Sequence, residues 1–247
     1  MIIESRSNPK VKAMAALKEK KFRRERREYL VEGAKMVSEC MAAGCSVTSL
    51  MCTEEYAERF AGAAIVSRAV YEYMSDERSP QGVIASVAMP DFELRPPESS
   101  CILLDGLQDP GNVGTIIRTA NAAGYGEIYL AGCADPFSPK AVRASMSGVF
   151  FTRIMTCASP EEAVEVLRGT PLVCADMNGA DVFGFVPPKK FCLCIGSEGS
   201  GLSRIVRDAA AYTVSIPMRP TCESLNAAVS AAVLMYLLKG AGSSARQ

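Results

Sequence analysis

Short, largely apolar runs separated by helical patterns are the feature that most limits how this chain can fold. They occupy residues 101–105, 127–131, 172–175, 191–195 and 212–216. Successive side chains of a strand point to opposite faces, so a strand that is apolar throughout must be covered on both faces. Because helical patterns separate most of these runs, they predict an α/β fold with a parallel sheet covered by helices on both sides.

The first part of the chain carries a smaller set of elements. Residues 46–52 and 82–88 are expected strands, and residues 34–43 have a helical pattern. Residues 90–100 are rich in proline and charge and poor in core residues, which is typical of a domain boundary. We therefore predict a small N-terminal α/β domain, a linker and a C-terminal domain, at residues 1–92, 93–99 and 100–247.

The composition excludes several classes of chemistry. The chain has no histidine, which rules out Ser/His/Asp and Cys/His nucleophile systems and histidine-ligated zinc. Its ten cysteines include no CxxC pair, so no metal site is expected, and scattered thiols without a signal peptide favour a cytoplasmic protein. The longest apolar run, residues 225–238, is interrupted by polar side chains and is shorter than the ~20 residues that span a bilayer, so no membrane segment is expected.

Charge is unevenly distributed along the chain. Lys and Arg balance Asp and Glu at 27 each, but residues 10–28 hold nine basic and three acidic side chains. This segment has few apolar residues, and it is predicted to form one or two exposed basic helices. Its charges either form a solvated, salt-bridged surface or contact the phosphates of a nucleic acid, and the positive excess favours the second interpretation. The candidate contacts are Lys10, Lys12, Lys20, Lys21, Arg23 and Arg24.

Three loops next to predicted strands carry the residues with chemical potential, and the first spans residues 109–121. Its apolar residues recur at helical spacing and predict the buried side of a helix: Val113, Ile116, Ile117 and Ala120. Asn112 is placed to cap this helix, and Arg118 projects from another side. Taken alone, the loop leaves two alternatives open for Arg118: a surface arginine or a functional one. The loop is not a Walker A motif, because no Gly-Lys-Ser/Thr follows the glycines.

The second loop, residues 196–203, follows the run that ends at residue 195 and contains three glycines. A strand, a glycine turn and a helix let a backbone approach a ligand closely. The glycine order is not GxGxxG, and Glu198 would repel a pyrophosphate. This excludes a nicotinamide oxidoreductase of the usual type and favours a nucleoside or amino-acid ligand without phosphates.

The third loop, residues 216–226, leads into the last helix. That helix is apolar nearly all round, so it is expected to pack both in the core and against a second subunit. Ser224 is a candidate N-cap of the helix, with a functional role as the alternative. Asn226, a polar residue in the expected first turn, is harder to explain as purely structural.

Together and in this order, the loops closely resemble the three signature motifs of the SpoU (TrmH) family of RNA ribose 2′-O-methyltransferases. The matching segments are NVGTIIRTA (112–120), IGSEGSG (195–201), IPM (216–218) and ESLNAAV (223–229), with DPFSPKAVRASMSG (135–148) between them. The N-terminal part is similar to the L30e-type substrate-binding domain that many members carry. Its hallmarks here are VEG (31–33) and SPQGV (79–83).

The resemblance implies a fold, a cofactor and partners. The fold would be a catalytic domain with a C-terminal trefoil knot, a rare exception to unknotted chains. S-adenosylmethionine would bind in the knot, and a homodimer would complete the active site. The substrate would be RNA, with ribosomal RNA as the first choice and tRNA as the second. A catalytically silent RNA-binding factor is the alternative from another class.

The same resemblance assigns roles to individual residues. The cofactor residues would be Gly196, Ile216, Met218 and Leu225, and the catalytic residues Asn112, Arg118, Glu198, Ser224 and Asn226. Arg118 and Arg143 join the candidate RNA contacts. Because a guanidinium is a poor proton acceptor, we expect Arg118 to orient and polarise the ribose-phosphate rather than to act as the base.

Overall fold

The computed structural model describes residues 2–77 and 79–241. The chain divides into two compact units. The N-terminal unit comprises Met1–Asp91 together with Phe137–Phe150, and the sheet unit comprises Phe92–Pro136 and Phe151–Gln247. Residues of the predicted linker pack within the sheet unit, where Arg95 forms an ion pair of 3.1 Å with the buried Glu127. The domain limits proposed from the sequence stay a prediction.

The N-terminal unit is built on a four-stranded sheet. Its elements from the first part of the chain are α1 (Pro9–Ala16), α2 (Lys20–Arg26), β1 (Glu28–Glu32), α3 (Ala34–Ala42), β2 (Val47–Cys52), β3 (Ala64–Ile65), α4 (Arg68–Met74) and β4 (Val83–Ala88). The strand order is β1-β4-β2-β3. Strand β4 is antiparallel to both of its neighbours, and β2 and β3 are parallel. Apolar residues of α1, α4 and the sheet form its core, including Val11, Leu17, Tyr71 and Ile84.

The sheet unit is built on six strands that are all parallel, in the order β10-β8-β9-β5-β6-β7. The elements from residue 101 onward are β5 (Cys101–Asp105), α5 (Pro110–Ala123), β6 (Glu127–Ala131), α6 (Pro139–Ser145), α7 (Gly148–Phe151), β7 (Arg153–Cys157), α8 (Pro160–Val166), β8 (Leu172–Asp181), β9 (Cys192–Gly196), α9 (Arg204–Asp208), β10 (Tyr212–Ser215) and α10 (Ala227–Ala241). Every residue of β5 and β6 is buried, because both faces of these central strands are covered. The predicted parallel α/β fold is confirmed; the trefoil knot stays a prediction.

The crossover between β6 and β7 contributes to the N-terminal unit. Helix α6 packs on β1, and the ring of Phe137 lies 5.0 Å from that of Tyr29. Arg143 of α6 donates a hydrogen bond of 2.9 Å to Asp76. This segment is therefore held to the N-terminal unit by both apolar and charged contacts.

Two helix starts differ from the sequence-based expectation. Helix α5 begins at Pro110 and is capped by Asp109, whose carboxylate accepts a hydrogen bond of 2.9 Å from the Gly111 amide, so Asn112 is not the cap. Helix α10 begins at Ala227, so its cap is Asn226 and not Ser224. In both cases the asparagine takes part in a tertiary contact described below. No helix among the described residues has the length and apolarity needed to cross a membrane.

Candidate active site

A cavity of about 510 Å³ lies where β9 and β10 end and α10 begins, beside the middle of β8. The carboxyl ends of parallel strands share one edge of the sheet, which is where open α/β sheets bind ligands. The volume falls within the range of roughly 300–1,000 Å³ of small-molecule sites. All four residues predicted to hold the cofactor line this cavity: Gly196, Ile216, Met218 and Leu225.

The turn after β9 approaches its own continuation so closely that only glycine fits at its first position. A Cβ atom on Gly196 would lie 2.2 Å from the backbone of Gly201 and Leu202. The turn is closed by two backbone hydrogen bonds of 3.0 Å between Ser197 and Gly201. It is also tied to the sheet, because the carboxylate of the buried Asp105, at the end of β5, accepts a hydrogen bond of 2.6 Å from the Ser203 amide. The cavity wall at this turn therefore consists of backbone atoms, and these hydrogen bonds fix their position.

Another part of the wall comes from a segment of β8 that does not pair regularly with β10. The register between these strands shifts after Thr213, so that Cys174 and Ala180 are partners of consecutive residues of β10. The intervening residues 175–178 line the cavity. Sequence reasoning missed them, although Asp176 and Asn178 are polar residues at the end of an apolar run, which is a usable signal at a sheet edge.

A chain of hydrogen bonds connects three predicted catalytic residues at the edge of the cavity. The Oδ1 atom of Asn226 accepts hydrogen bonds from the backbone amides of Ala228 and Val229, at 2.9 and 3.3 Å. Its Nδ2 donates to Oδ1 of Asn112 at 3.1 Å, and Nδ2 of Asn112 donates to Oε1 of Glu198 at 2.5 Å. We call Asn226, Asn112 and Glu198 the amide relay.

The direction of the amide relay follows from the start of α10. The free amides of a helix N-terminus can only donate, so Asn226 must present its oxygen to them and its NH₂ group to Asn112. Asn112 must then present its own NH₂ group to Glu198, whose carboxylate is the acceptor. The helix start thus determines the orientation of both side-chain amides.

The remaining two predicted catalytic residues are placed differently. Ser224 is exposed and lines the cavity beside Leu225. Arg118 is exposed on α5, two turns after Asn112, and is not part of the cavity wall. Within the described part of the chain, its side chain has no hydrogen bond or ion pair. The fold of one chain therefore brings together Asn112, Glu198, Ser224 and Asn226, but not Arg118.

A thiol that is not part of the cavity wall lies near the ends of β5 and β6. Cys133 contacts the carbonyl oxygen of Leu104 at 3.2 Å, and burial raises its pKa to about 11. It is therefore protonated at neutral pH and cannot serve as a nucleophile. No cluster of possible metal ligands occurs among residues 2–77 and 79–241.

The predicted RNA contacts of the basic helices have different surroundings. Five of them are exposed: Lys10, Lys12, Lys20, Lys21 and Arg24. Arg23 is only 3% exposed and donates hydrogen bonds of 2.8 and 2.7 Å to the carbonyl oxygens of Leu17 and Lys18, at the end of α1. The buried guanidinium stabilises the turn between α1 and α2 and is unavailable to a phosphate. Arg143, a predicted RNA contact outside these helices, is partly exposed and paired with Asp76.

The parallel sheet, the glycine turn after β9 and the amide relay define an α/β fold with a cavity of small-molecule size beside a polar centre. Comparison with known proteins identifies the class. The SpoU rRNA Methylase family matches residues 99–236, and the MRM3-like substrate binding domain matches residues 8–85. The chain belongs to the SpoU rRNA methylase family.

Relatives and solved structures agree along nearly the whole chain. The 23S rRNA (guanosine(2553)-2′-O)-methyltransferase RlmP of Bacillus subtilis is 32% identical over 96% of this chain and 99% of its own. The AdoMet-bound rRNA methyltransferase from Sinorhizobium meliloti has a TM-score of 0.88 at 30% identity, over 97% of both chains. The SpoU methyltransferase AviRb from Streptomyces viridochromogenes, in complex with AdoMet, has a TM-score of 0.86 at 30% identity, over 97% of this chain and 100% of its own.

These findings confirm the predicted enzyme class, an RNA 2′-O-methyltransferase that uses S-adenosylmethionine. The cavity fits this cofactor. Its fixed glycine turn allows a ligand to lie against backbone, while Ile195, Val214 and Leu225 supply apolar surface and Ser215 and Asn226 supply polar groups. A nucleoside joined to an amino acid needs this mixture of surfaces.

Proposed function

We propose that this enzyme methylates a ribose 2′-hydroxyl in structured large-subunit ribosomal RNA of the 23S type. The observation that carries the proposal is the amide relay at the edge of the cofactor cavity. The choice of RNA is supported by the Bacillus subtilis relative, which is named for 23S rRNA and matches this chain through both of its domains. Ribosomal RNA therefore ranks before tRNA.

In this proposal the chain supplies orientation and charge, while the bound cofactor supplies an electrophilic methyl group as a sulfonium. Gly196, Ile216, Met218 and Leu225 hold the cofactor along the cavity. Asn112, Asn226 and Glu198 position the ribose and the two loops, since the amide relay fixes their donors and acceptors. Such pre-organised groups lower the barrier without moving during the reaction.

The function of Arg118 in this proposal requires a second copy of the chain. The side chain is exposed and does not line the cavity of its own chain. Helix α10 leaves apolar side chains uncovered, with Val229 48% and Tyr236 57% exposed. A homodimer through this face would cover them and would allow Arg118 of one copy to serve the cavity of the other. There the guanidinium would bind the ribose-phosphate, because its planar fork of donors forms bidentate contacts with phosphate.

RNA binding outside the active site is assigned to the exposed residues of the basic helices, Lys10, Lys12, Lys20, Lys21 and Arg24. They contribute charge without selecting a sequence. Arg143 is also a candidate, provided that RNA replaces its pairing with Asp76.

The test is methyl transfer followed by mapping. Purified protein, labelled S-adenosylmethionine and RNA from a strain that lacks the gene should give label in one ribose of 23S rRNA. The Arg118→Ala variant should reduce incorporation by about 100-fold or more, as expected for loss of a transition-state contact. Label in tRNA would replace the proposed substrate. RNA binding without any incorporation would identify a silent binding factor instead.

A mixing experiment tests the contribution of the second copy. Arg118→Ala and Asn226→Ser subunits, each with activity reduced about tenfold or more, are expected to form mixed dimers in which one cavity has both an intact amide relay and an intact arginine. Recovery of about a quarter of wild-type activity after random mixing is the expected result for two shared sites. If activity does not recover, although mixed dimers are detected, Arg118 acts within its own chain.

A further inference from the structure

The cavity wall contains a cation that neither the sequence motifs nor the amide relay uses. Only three of the described residues that line the cavity are charged: Asp176, Glu198 and Arg207. Arg207 lies in the last turn of α9 and is exposed. It is therefore the only positively charged side chain among these lining residues.

Arg207 belongs to the side of the cavity formed by β8. The Sγ atom of Cys174 lies 3.8 Å from the carbonyl oxygen of Val206, and the Ala211 amide donates to the carbonyl of Leu172 at 3.0 Å. These contacts fix both ends of the short segment that carries Arg207 against β8. The backbone that carries Arg207 is thus fixed against β8, and its side chain lines the same cavity as residues 175–178.

The guanidinium is not neutralised by the protein. Arg204, three residues earlier, pairs with Asp208 at 3.3 Å, whereas Arg207 has no side-chain hydrogen bond or ion pair within the described part of the chain. Glu198 is held in the amide relay, and one carboxylate oxygen of Asp176 accepts two hydrogen bonds from Asn178. An anion in the cavity would therefore find an unoccupied partner in Arg207.

We propose that Arg207 binds the α-carboxylate of the amino-acid end of S-adenosylmethionine. The proposal rests on the function proposed above, because it assumes that this cavity holds that cofactor. The carboxylate is the only anionic group of the cofactor, and Arg207 is the only cation on the described wall. A guanidinium matches a carboxylate in a planar, bidentate contact. Arg207 is then a determinant of cofactor recognition that lies outside the three sequence motifs.

A second ligand class could use the same cation. An exposed arginine at a cavity mouth could bind an RNA phosphate. The position of Arg207 beside the β8 wall, within the lining of a cavity of about 510 Å³, favours the cofactor, because the phosphate next to the target ribose is already assigned to Arg118. The two assignments differ in which ligand loses affinity when the charge is removed.

The test compares two cofactor analogues that differ only in the carboxylate. S-adenosylhomocysteine and its decarboxylated form are titrated calorimetrically into the full-length wild-type protein and into Arg207→Gln and Arg204→Gln variants. The second variant is the matched control, because Arg204 lies on the same helix but is paired outward with Asp208. Wild-type protein and the control should prefer S-adenosylhomocysteine by about tenfold or more, the usual effect of one charged hydrogen-bonded contact.

Arg207→Gln is expected to lose that preference. Its affinity for S-adenosylhomocysteine should fall about tenfold or more, while its affinity for the decarboxylated form stays within about twofold of wild type. An unchanged preference in the variant, or an equal loss for both analogues, would overturn the assignment. An intact preference for S-adenosylhomocysteine together with weaker binding of a 23S rRNA transcript would also overturn it and would assign Arg207 to RNA.

If wild-type protein bound neither analogue, the assignment of the cofactor to this chain would fail as well. Failure of the Arg207 assignment and failure of the proposed function are therefore distinguishable.

Discussion

The cavity edge of the sheet unit and the basic helices of the N-terminal unit are both rich in polar residues, but they are organised differently. At the cavity edge, Asn112, Glu198 and Asn226 come from three distant segments and meet in one hydrogen-bonded chain. In the basic helices, Arg23 and Arg24 are neighbours in sequence but have opposite surroundings, one buried and one exposed.

The difference lies in what determines the position of a side chain. A parallel sheet brings the carboxyl ends of all its strands to one edge, so polar residues that follow different strands must meet there. A run of charges on short helices is under no such constraint, because consecutive residues point in directions about 100° apart. Polar residues at strand ends therefore indicate a site more reliably than a charged run indicates a surface.

The largest effect is expected at Gly196, where backbone atoms of the turn form the edge of the cavity. In Gly196→Ala the new methyl group would lie 2.2 Å from the backbone of Gly201 and Leu202, so the turn must open. We expect affinity for S-adenosylhomocysteine to fall about 100-fold or more, since the wall that the ligand contacts is displaced. Calorimetric titration measures this, with circular dichroism to confirm that the fold is retained.

Gly199→Ala is the matched control within the same turn. A Cβ atom at Gly199 has no neighbour within 4 Å. Affinity should change less than about threefold, because nothing has to move. Similar losses in both variants would show that the turn needs flexibility rather than a close approach of backbone.

The next effect concerns the amide relay. In Asn226→Ser the hydroxyl can still cap α10, but the NH₂ group that donates to Asn112 is lost. Thermal stability should change by less than about 1 kcal/mol, because serine is also a good N-cap. The rate of methyl transfer should fall about 10- to 100-fold, because Asn112 loses the contact that orients it toward Glu198.

Comparison of Asn226→Ala with Asn226→Ser separates the capping of α10 from the orientation of Asn112. The alanine variant removes both functions, so it should lose about 1 kcal/mol of stability in addition to the activity. Thermal melts and single-turnover methylation of rRNA measure the two effects. A serine variant with wild-type activity would show that the amide relay has only a structural function.

Much of the sheet unit was predictable from the sequence because the relevant signals are local. Residues 101–105 and 127–131 are apolar or buried throughout, and they form central strands as predicted. The short strand β7 was missed, since only three of its five positions are buried and two are exposed. An edge strand carries a weaker hydrophobic pattern than a central one.

The errors in the candidate site have a different origin. Asp109 and Asn112 are both capping residue types, and only the proline at position 110 indicated that the helix starts after Asp109. The burial of Arg23 could not be predicted, because it depends on where the chain turns between α1 and α2. No local sequence pattern predicts that Arg207 lines the cavity, since its place in the wall depends on the distant strand β8.

A smaller effect separates the two arginines of the basic helices. Arg24→Gln should leave stability unchanged but weaken RNA binding a few-fold and reduce its salt dependence by roughly one counterion, as for loss of one phosphate contact. Arg23→Gln should instead destabilise the N-terminal unit by about 1–3 kcal/mol, because carbonyl oxygens at the end of α1 lose a charged donor. Filter binding at several salt concentrations and thermal melts measure both. If Arg23→Gln lowered RNA affinity with no loss of stability, the structural assignment would be wrong.

The smallest effect is a difference in reactivity between two thiols of the sheet unit. Cys222 is exposed in the loop before α10, whereas Cys133 is partly buried, and this burial raises its pKa to about 11. The thiolate is the reactive form, so raising a pKa lowers reactivity at any pH below it, and reactivity increases as the pH rises through that value. At pH 8 only about 0.1% of Cys133 would be ionised. Peptide mass mapping after treatment with iodoacetamide should therefore show Cys222 modified first at pH 8. The modification rate of Cys133 should approach that of Cys222 as the pH is raised toward 11.

Because Ser224 and Leu225 of the same loop line the cavity, S-adenosylhomocysteine should slow modification of Cys222 a few-fold. Equal protection of Cys45, which lies in the N-terminal unit, would show that the ligand acts on global stability and not on this loop.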